Sequence, residues 1–305
     1  MLRAAFISLS ESKSLRSAAE RTWAGQRVSR RFVAGTTIPD ALAATQAMNR
    51  LGLSVSVDNL GENVTNAEEA RHSARLYHQL LDRMSEQGLD ANVSLKLTHM
   101  GLDVDEVMAY QISSEVVEHA ARLNNFVRVD MEGSPYTQRT LDFVHRLHRA
   151  PGLAGHVGAV IQSYLHRSEK DVEDLIAAGI RVRLCKGAYQ EAPEIALEKK
   201  ADVDANYIKL MKMLLNSGVY HGMATHDEHM IRATIDFARK ERIPPTAFEF
   251  QMLYGIRRDL QLRLVREGWR CRVYIPFGTE WYPYFMRRLA ERPANALFIM
   301  KNLFR

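Results

Sequence analysis

No apolar run in this 305-residue chain approaches the roughly 18 to 20 residues that cross a bilayer, which excludes a helical membrane protein. Cysteine is scarce. Cys185 and Cys271 lie far apart inside β-like runs and read as reduced, buried thiols, too few for a disulfide framework or a metal site of their own. An arginine-rich tail, an RNP-like motif and a zinc knuckle are all missing, so nucleic acid is not an expected partner. The first residues, MLRAAFISLSESKSLRSAAERTWAGQ, lack the continuous apolar core of a secretory signal, and Glu11 and Glu20 speak against a transit peptide; the expectation is a cytoplasmic protein. The net charge of +5 is modest, and no linker, repeat or low-complexity stretch divides the chain.

With 46% apolar and 25% charged residues, the chain has the composition of an ordinary globular protein. What recurs along it is a short β-branched run, a polar or glycine-containing junction, and a helical stretch. The runs are SVSVDN (54–59), NVSLKL (92–97), FVRVDM (126–131), VGAVIQ (157–162), IRVRLC (180–185), GMATH (222–226), AFEFQM (247–252) and CRVYIP (271–276). Their starts lie about 20 to 40 residues apart, the spacing of one strand plus one crossover helix. Between them, SEKDVEDLIAAG (168–179) reads as a helix with a Ser168 cap and a stop at Gly179, and DANYIKLMKMLLNSG (204–218) as one with an Asp204 cap. Eight such units in one undivided chain predict an α/β fold of the (β/α)8 TIM-barrel type over residues 51–305, with residues 1–50 as an N-terminal helical cap packed on it. An open doubly wound sheet is the alternative, but no G-x-G-x-x-G or G-x-x-x-x-G-K-[ST] turn is present.

In a barrel the strand C-terminal ends line the active mouth. Reading those ends gives Asp58, Lys96, Asp130 with Glu132, Gln162, Arg183 with Lys186, Thr225 with His226, Gln251 and Tyr274. The helix after the eighth strand carries Arg287 and Arg288 over the same mouth, with Tyr284 and Glu291 three residues to either side on faces that can steady them. Lys96, Arg183, Lys186, Arg287 and Arg288 outnumber Asp58, Asp130 and Glu132, so the rim predicts a ligand bearing a carboxylate, a phosphate or both. Plainer readings stand beside this one. Lys96 can snorkel to water, and VRVDME can be a strand with a solvated acidic end. Arg183 is harder to dismiss, because a strand covered on both faces gives an unpaired cation nowhere cheap to go. His226 and His229 in THDEHM lack the spacing of a metal motif and a third ligand nearby, so no metal is expected.

The segments SLKLT, VDMEGS, VIQSYL, VRLCKGAY, ATHDEHM, FEFQMLYG and VYIPFGTEWYPYFMRRLAER, taken in this order and at these separations, resemble the proline dehydrogenase family over about residues 50–300. The similarity is strongest toward its monofunctional bacterial members. It implies an FAD-containing barrel that oxidises L-proline to Δ1-pyrroline-5-carboxylate by hydride transfer to flavin N5 and passes electrons to a membrane quinone. Carried over position by position, Arg287, Arg288 and Lys96 hold the proline carboxylate, and Glu291 pairs with an arginine and keeps the final helix closed over the site. The resemblance further implies that Tyr274 and Leu253 shape the pocket, that Tyr189 and Asp130 complete its polar frame, and that Arg183 lies near N5. It assigns Met131, Gln162, Lys186, Gly187, Ala188, Thr225 and His226 to the flavin. Gln190 departs from the family, in which many members carry Trp there. A chain of this length has no room for an aldehyde dehydrogenase domain, so a separate pyrroline-5-carboxylate dehydrogenase is the expected partner, and the amphipathic stretch ALFIMKNLFR (296–305) is a candidate for peripheral contact with the inner face of the cytoplasmic membrane.

Two other readings compete. A Schiff-base aldolase using Lys96 or Lys186 would explain a cationic rim but not the doubled arginine. A basic module binding a membrane or nucleic acid would carry no chromophore and would show steep salt dependence.

Overall fold

The computed structural model describes residues 31–61, 63–282, 284 and 286. Eight strands form a closed parallel barrel in chain order: β1 (Ser54–Asn59), β2 (Ala91–Leu95), β3 (Val127–Val129), β4 (Val157–Gln162), β5 (Arg181–Cys185), β6 (His221–Ala224), β7 (Phe248–Leu253) and β8 (Cys271–Phe277). The expected (β/α)8 architecture is the one observed. β1 pairs with β8 from Ser54 opposite Arg272 to Asn59 opposite Phe277, which closes the ring.

Helix α1 (Ile38–Asn49) precedes β1 and packs on β1 and β8; the rest of the expected N-terminal cap, before residue 31, lies outside the described residues. α1 opens on a capping box in which Thr37 and Asp40 satisfy each other's backbone N–H groups. α2 (Ala67–Glu86), α3 (Glu106–Arg122), α4 (Ser134–Arg149), α5 (Ser168–Ala177), α6 (Lys200–Asn216), α7 (Glu228–Lys240) and α8 (Arg258–Arg266) alternate with the strands. α2 shows why these segments form helices. Asn66 accepts from Glu69 N, and Glu68 and Glu69 face the positive end of the helix dipole. Its Ala70, Ala74, Tyr77, Leu81 and Met84 recur at helical spacing and are buried on one stripe.

Two helix starts differ from the expectation. α5 begins at Ser168, after Arg167, so Ser168 is not its cap; the hydroxyl, fully buried, instead accepts from Asn206 Nδ2 on α6 at 3.0 Å. α6 begins at Lys200, not after Asp204, because the Asp204 carboxylate is engaged by Lys186 and, one helical turn back, by Lys200. Of the two thiols, Cys271 is buried as expected and Cys185 only half-buried; both are free. Among the described residues no helix is long and apolar enough to cross a membrane.

The helix-facing side chains of the strands, such as Val55, Val57, Val93, Val127 and Val129, form the apolar layer between barrel and helices. The lumen is different. Its side chains include Ser56, Ser94, Arg128, Arg183, Glu249, Gln251, Arg272 and Tyr274, which reach one another across the barrel. Glycine makes room for the longest of these. A Cβ at Gly158 would stand 2.6 Å from Arg128 Nη1, and one at Gly222 would stand 2.7 Å from Gln251 Cδ.

Candidate active site

The centre of the mouth is built on Arg183, the middle residue of β5, whose side chain points into the lumen. Its Nη1 donates to Asp130 Oδ1 at 2.6 Å, its Nε to Gln251 Oε1 at 2.5 Å, and its Nη2 to Ser94 Oγ at 3.1 Å and Ser56 Oγ at 3.2 Å. Tyr274 donates to the other Asp130 oxygen at 2.8 Å, and its ring centroid lies 5.2 Å from the Arg183 guanidinium carbon. Side chains of β1, β2, β7 and β8, with Asp130 just past β3, thus fix one planar cation in one orientation, which a lysine could not reproduce. Burial, then the charges of Asp130 and Asp58, push the Tyr274 phenol well above its ordinary range, so it stays a hydrogen-bond donor.

A second pair lies beside the first. Lys96 Nζ donates to Asp58 Oδ2 at 3.2 Å, and Tyr77 donates to Asp58 Oδ1 at 3.5 Å. Burial pushes the Asp58 carboxyl up; the Lys96 ammonium opposes that shift and Asp130 adds to it. Asp130 and Glu132 are buried, not solvated ends of a strand, and Glu132 accepts from the Thr98 hydroxyl at 2.6 Å.

The third cation is Lys186, held between Asp204 Oδ1 at 2.5 Å and Asp227 Oδ2 at 2.7 Å. Burial would raise both carboxyls, but hydrogen bonds from Lys186 prevail, helped by Lys200, and hold both below their ordinary values. Among the described residues Asp204 and Asp227 join Asp58, Asp130 and Glu132 against Lys96, Arg183 and Lys186, so the expected cationic surplus depends on Arg287 and Arg288. The i,i+4 pair of Lys200 and Asp204 was the available signal for the missed acid. Arg287, Arg288 and Glu291 lie outside the described residues.

Around the rim, the other expected residues take distinct places. Gln162 Nε2, buried at the end of β4, donates to Glu132 O at 3.1 Å, and Met131 is buried beside Glu132 in sequence. His226 Nε2 accepts from Leu253 N at 2.9 Å, which fixes its unprotonated nitrogen, and Thr225 Oγ1 accepts from Asp227 N at 3.1 Å. Leu253 stands opposite Tyr274 in register. Tyr189 is 39% exposed, with its ring 4.0 Å from where a Gly133 Cβ would lie. The segment after β5 is tied down by Glu191, which accepts from Ser134 N at 2.7 Å and from the Ser134 hydroxyl at 2.5 Å. Gly133, the cap of α4, has no side chain for that task, so Glu191 supplies it from another loop.

The residues at the ends of β4, β5 and β6 fit a phosphate-bearing flavin. Gly187 has φ +115°, and a Cβ there would run into the Tyr164 ring, so the turn after β5 requires glycine at this position. Beside it Lys186 has two of its three donors committed to carboxylates.

Below the mouth, a chain of hydrogen bonds continues along the barrel axis. Gln251 Nε2 donates to Glu249 Oε1 at 2.6 Å, and Arg272 Nε donates to the same oxygen at 2.7 Å. Burial would raise the Glu249 carboxyl, but Arg272, Gln251 and Tyr220 hold it below its ordinary value. Sequence reading missed Ser56, Ser94, Glu249 and Arg272. The signal was the alternation itself, polar residues at every second position of strands whose outer face is apolar.

A family model described as Proline dehydrogenase matches residues 41–301. Proline dehydrogenase 2 of Bacillus subtilis is 40% identical over 298 residues, covering 98% of this chain and 97% of that protein. Proline dehydrogenase of Deinococcus radiodurans is 38% identical over 291 residues, covering 94% of this chain and 93% of that one. Among solved structures, proline utilization A (PutA) from Bdellovibrio bacteriovorus, inactivated by N-propargylglycine, superposes with a TM-score of 0.82 at 26% identity. That match covers 87% of this chain and 32% of the longer one.

Proposed function

The chain belongs to the proline dehydrogenase family, which is flavin-dependent, and we propose that FAD is its cofactor, held along the β4–β6 side of the mouth. The protein oxidises L-proline, the first step of proline catabolism. The observation that supports the assignment of the site is the buried set of Arg183, Asp130 and Tyr274 fixed at the barrel mouth.

Bound FAD would supply the hydride acceptor for the proline ring. Gln162, Lys186, Gly187, Ala188, Thr225, His226 and Met131 would hold it, Lys186 offering its remaining donor to an anionic group. Arg183 presents a fixed positive charge to the group that gains electrons, and Asp130 and Gln251 keep that charge from turning away. Lys96 takes the substrate carboxylate together with Arg287 and Arg288, while Glu291 steadies the arginines. Leu253 and Tyr274, neighbours in register, border the ring, and Tyr189 closes the frame from the segment after β5. The substrate amine must be neutral when hydride leaves, and a cationic clamp on the carboxylate favours that form. The electrons then pass to a quinone at the membrane surface, and a separate dehydrogenase consumes the pyrroline-5-carboxylate. The protein is cytoplasmic, resting peripherally on the membrane.

The test is the visible spectrum of the purified protein before and after anaerobic L-proline, followed by phosphodiesterase treatment of the heat-released flavin. A band that bleaches with proline, and flavin fluorescence that rises on phosphodiesterase cleavage, are the expected results. A protein that stays colourless after incubation with FAD would overturn the reading.

A further inference from the structure

The opposite end of the barrel is open. A cleft of about 430 Å³ lies at the N-terminal ends of the strands, lined among others by Asp90, Asn92, Asn124, His156, Arg181 and Arg272. It is remote from the mouth. Residues 31–35 and the segment after β8 both join the barrel at the strand C-terminal end, where Ala34 N donates to Pro276 O and Gly278 N to Gly35 O.

The cleft carries more cation than its neighbours neutralise. Arg272 is satisfied, by Glu249, by Val55 O at 2.6 Å and by Asn92 Oδ1 at 3.2 Å. Arg181 is not. It has no carboxylate partner among the described residues; its guanidinium carbon lies 5.1 Å from the Phe126 ring centroid and 5.8 Å from that of Tyr220. Two aromatic faces orient the group without cancelling its charge. Behind it Arg128, only 4% exposed, donates from Nη1 to Arg181 O at 2.6 Å, and its Nε has no partner. Arg270 also lies over the Tyr220 ring, at 5.7 Å from its centroid. Against these stand Glu249, already shared by Arg272, Gln251 and Tyr220, and Asp90, which accepts from Ser54 Oγ at 2.6 Å. His221 lies within the influence of the same arginines and is kept neutral, so it adds no charge.

We propose that this cleft is a binding site for a small oxyanion, a phosphate or a carboxylate, with Arg181 as its principal charge and the Asn92, Asn124 and His156 side of the cleft as its polar wall. A half-buried, ring-stacked guanidinium facing a cavity is preorganised for such a group, because an ordered planar fork loses little freedom on binding. The site is independent of the flavin and of proline.

The experiment is a melting-temperature titration of the purified protein with inorganic phosphate and, separately, with succinate, at an ionic strength fixed with chloride. The native protein is expected to show a saturable rise of about 2 to 4 °C at ten times the dissociation constant. Arg181→Gln removes the rise. Asn124→Asp serves as a second variant, since Asn124 is exposed and has φ 51°, a left-handed conformation that aspartate also adopts. The added charge repels the ligand and weakens its binding about tenfold or more, at a cost of roughly 1.4 kcal/mol. A larger rise with phosphate than with succinate identifies a phosphate-class ligand, and the reverse order a carboxylate. No saturable rise with either anion, or a rise unchanged in both variants, overturns the proposal.

Discussion

Replacing Asp130 by asparagine would keep the shape of the mouth and remove the charge that faces Arg183. The guanidinium would remain buried with neutral partners only, a situation that costs roughly 3 to 5 kcal/mol. Urea unfolding of Asp130→Asn is expected to show a loss of that size. Tyr274→Phe deletes one hydrogen bond to a carboxylate, worth about 1.5 to 3 kcal/mol, and leaves the ion pair in place. It should therefore unfold later in urea than Asp130→Asn while raising KM for proline about tenfold; equal losses in the two variants would mean that the pair is not the anchor. At this scale the sequence was informative about which residues reach the mouth and silent about which acids they meet. Arg183 was legible because a doubly covered strand leaves a cation no exit. Its partners were not, since Ser56, Ser94 and Gln251 come from strands up to 127 positions away.

The element that the site depends on most is the segment between β5 and α6, which carries Lys186, Gly187, Ala188 and Tyr189. Glu191 fastens it to the first turn of α4, where no cap exists on Gly133. Glu191→Ala is expected to destabilise the protein by about 1 kcal/mol, the value of a lost cap. More tellingly, hydrogen exchange should rise in residues 186–199 and in the first turn of α4 together; exchange rising in neither would remove the clasp. The strands themselves could be read closely, with SVSVDN and VGAVIQ matching β1 and β4 residue for residue. FVRVDM (126–131) overran β3 at both ends, although Asp130, just past the strand, still donates its backbone N–H to Leu95 O at 2.8 Å while its carboxylate meets Arg183 and Tyr274. Ser168 and Asp204 misled for one reason. Both are good cap residues whose side chains are spent on a neighbouring element, and single-chain pattern cannot show a tertiary partner.

For the molecule as a whole, two buried imidazoles set the response to acid. His221 accepts from Val182 N and is pushed down to about 3 by burial, then by Arg128 and Arg181; His99 is pushed down to about 4 by burial, then by Lys96. The unfolded chain protonates both near their ordinary value of 6.5, while the fold keeps them neutral, so the unfolded state takes up protons first as pH falls. Stability is complete above that value and declines between pH 6.5 and about 4, by up to about 1.4 kcal/mol per pH unit for each histidine. Denaturant midpoints measured from pH 7.5 down to 4.5 should fall along this slope, and His221→Asn should make the slope shallower. A midpoint flat over that range would contradict the assignment.

The seam between β1 and β8 has a consequence for how the chain is made. The first strand finds one of its two neighbours only in the last, and Arg272 reaches back to Val55 O across 217 positions of sequence. At the usual pace of synthesis, about 5 to 20 residues per second, β1 waits roughly 10 to 40 seconds with one edge bare after it leaves the ribosome. An exposed edge recruits foreign strands. The closed ring that makes the finished barrel edgeless thus leaves the nascent chain with an unpaired edge until its final strand emerges.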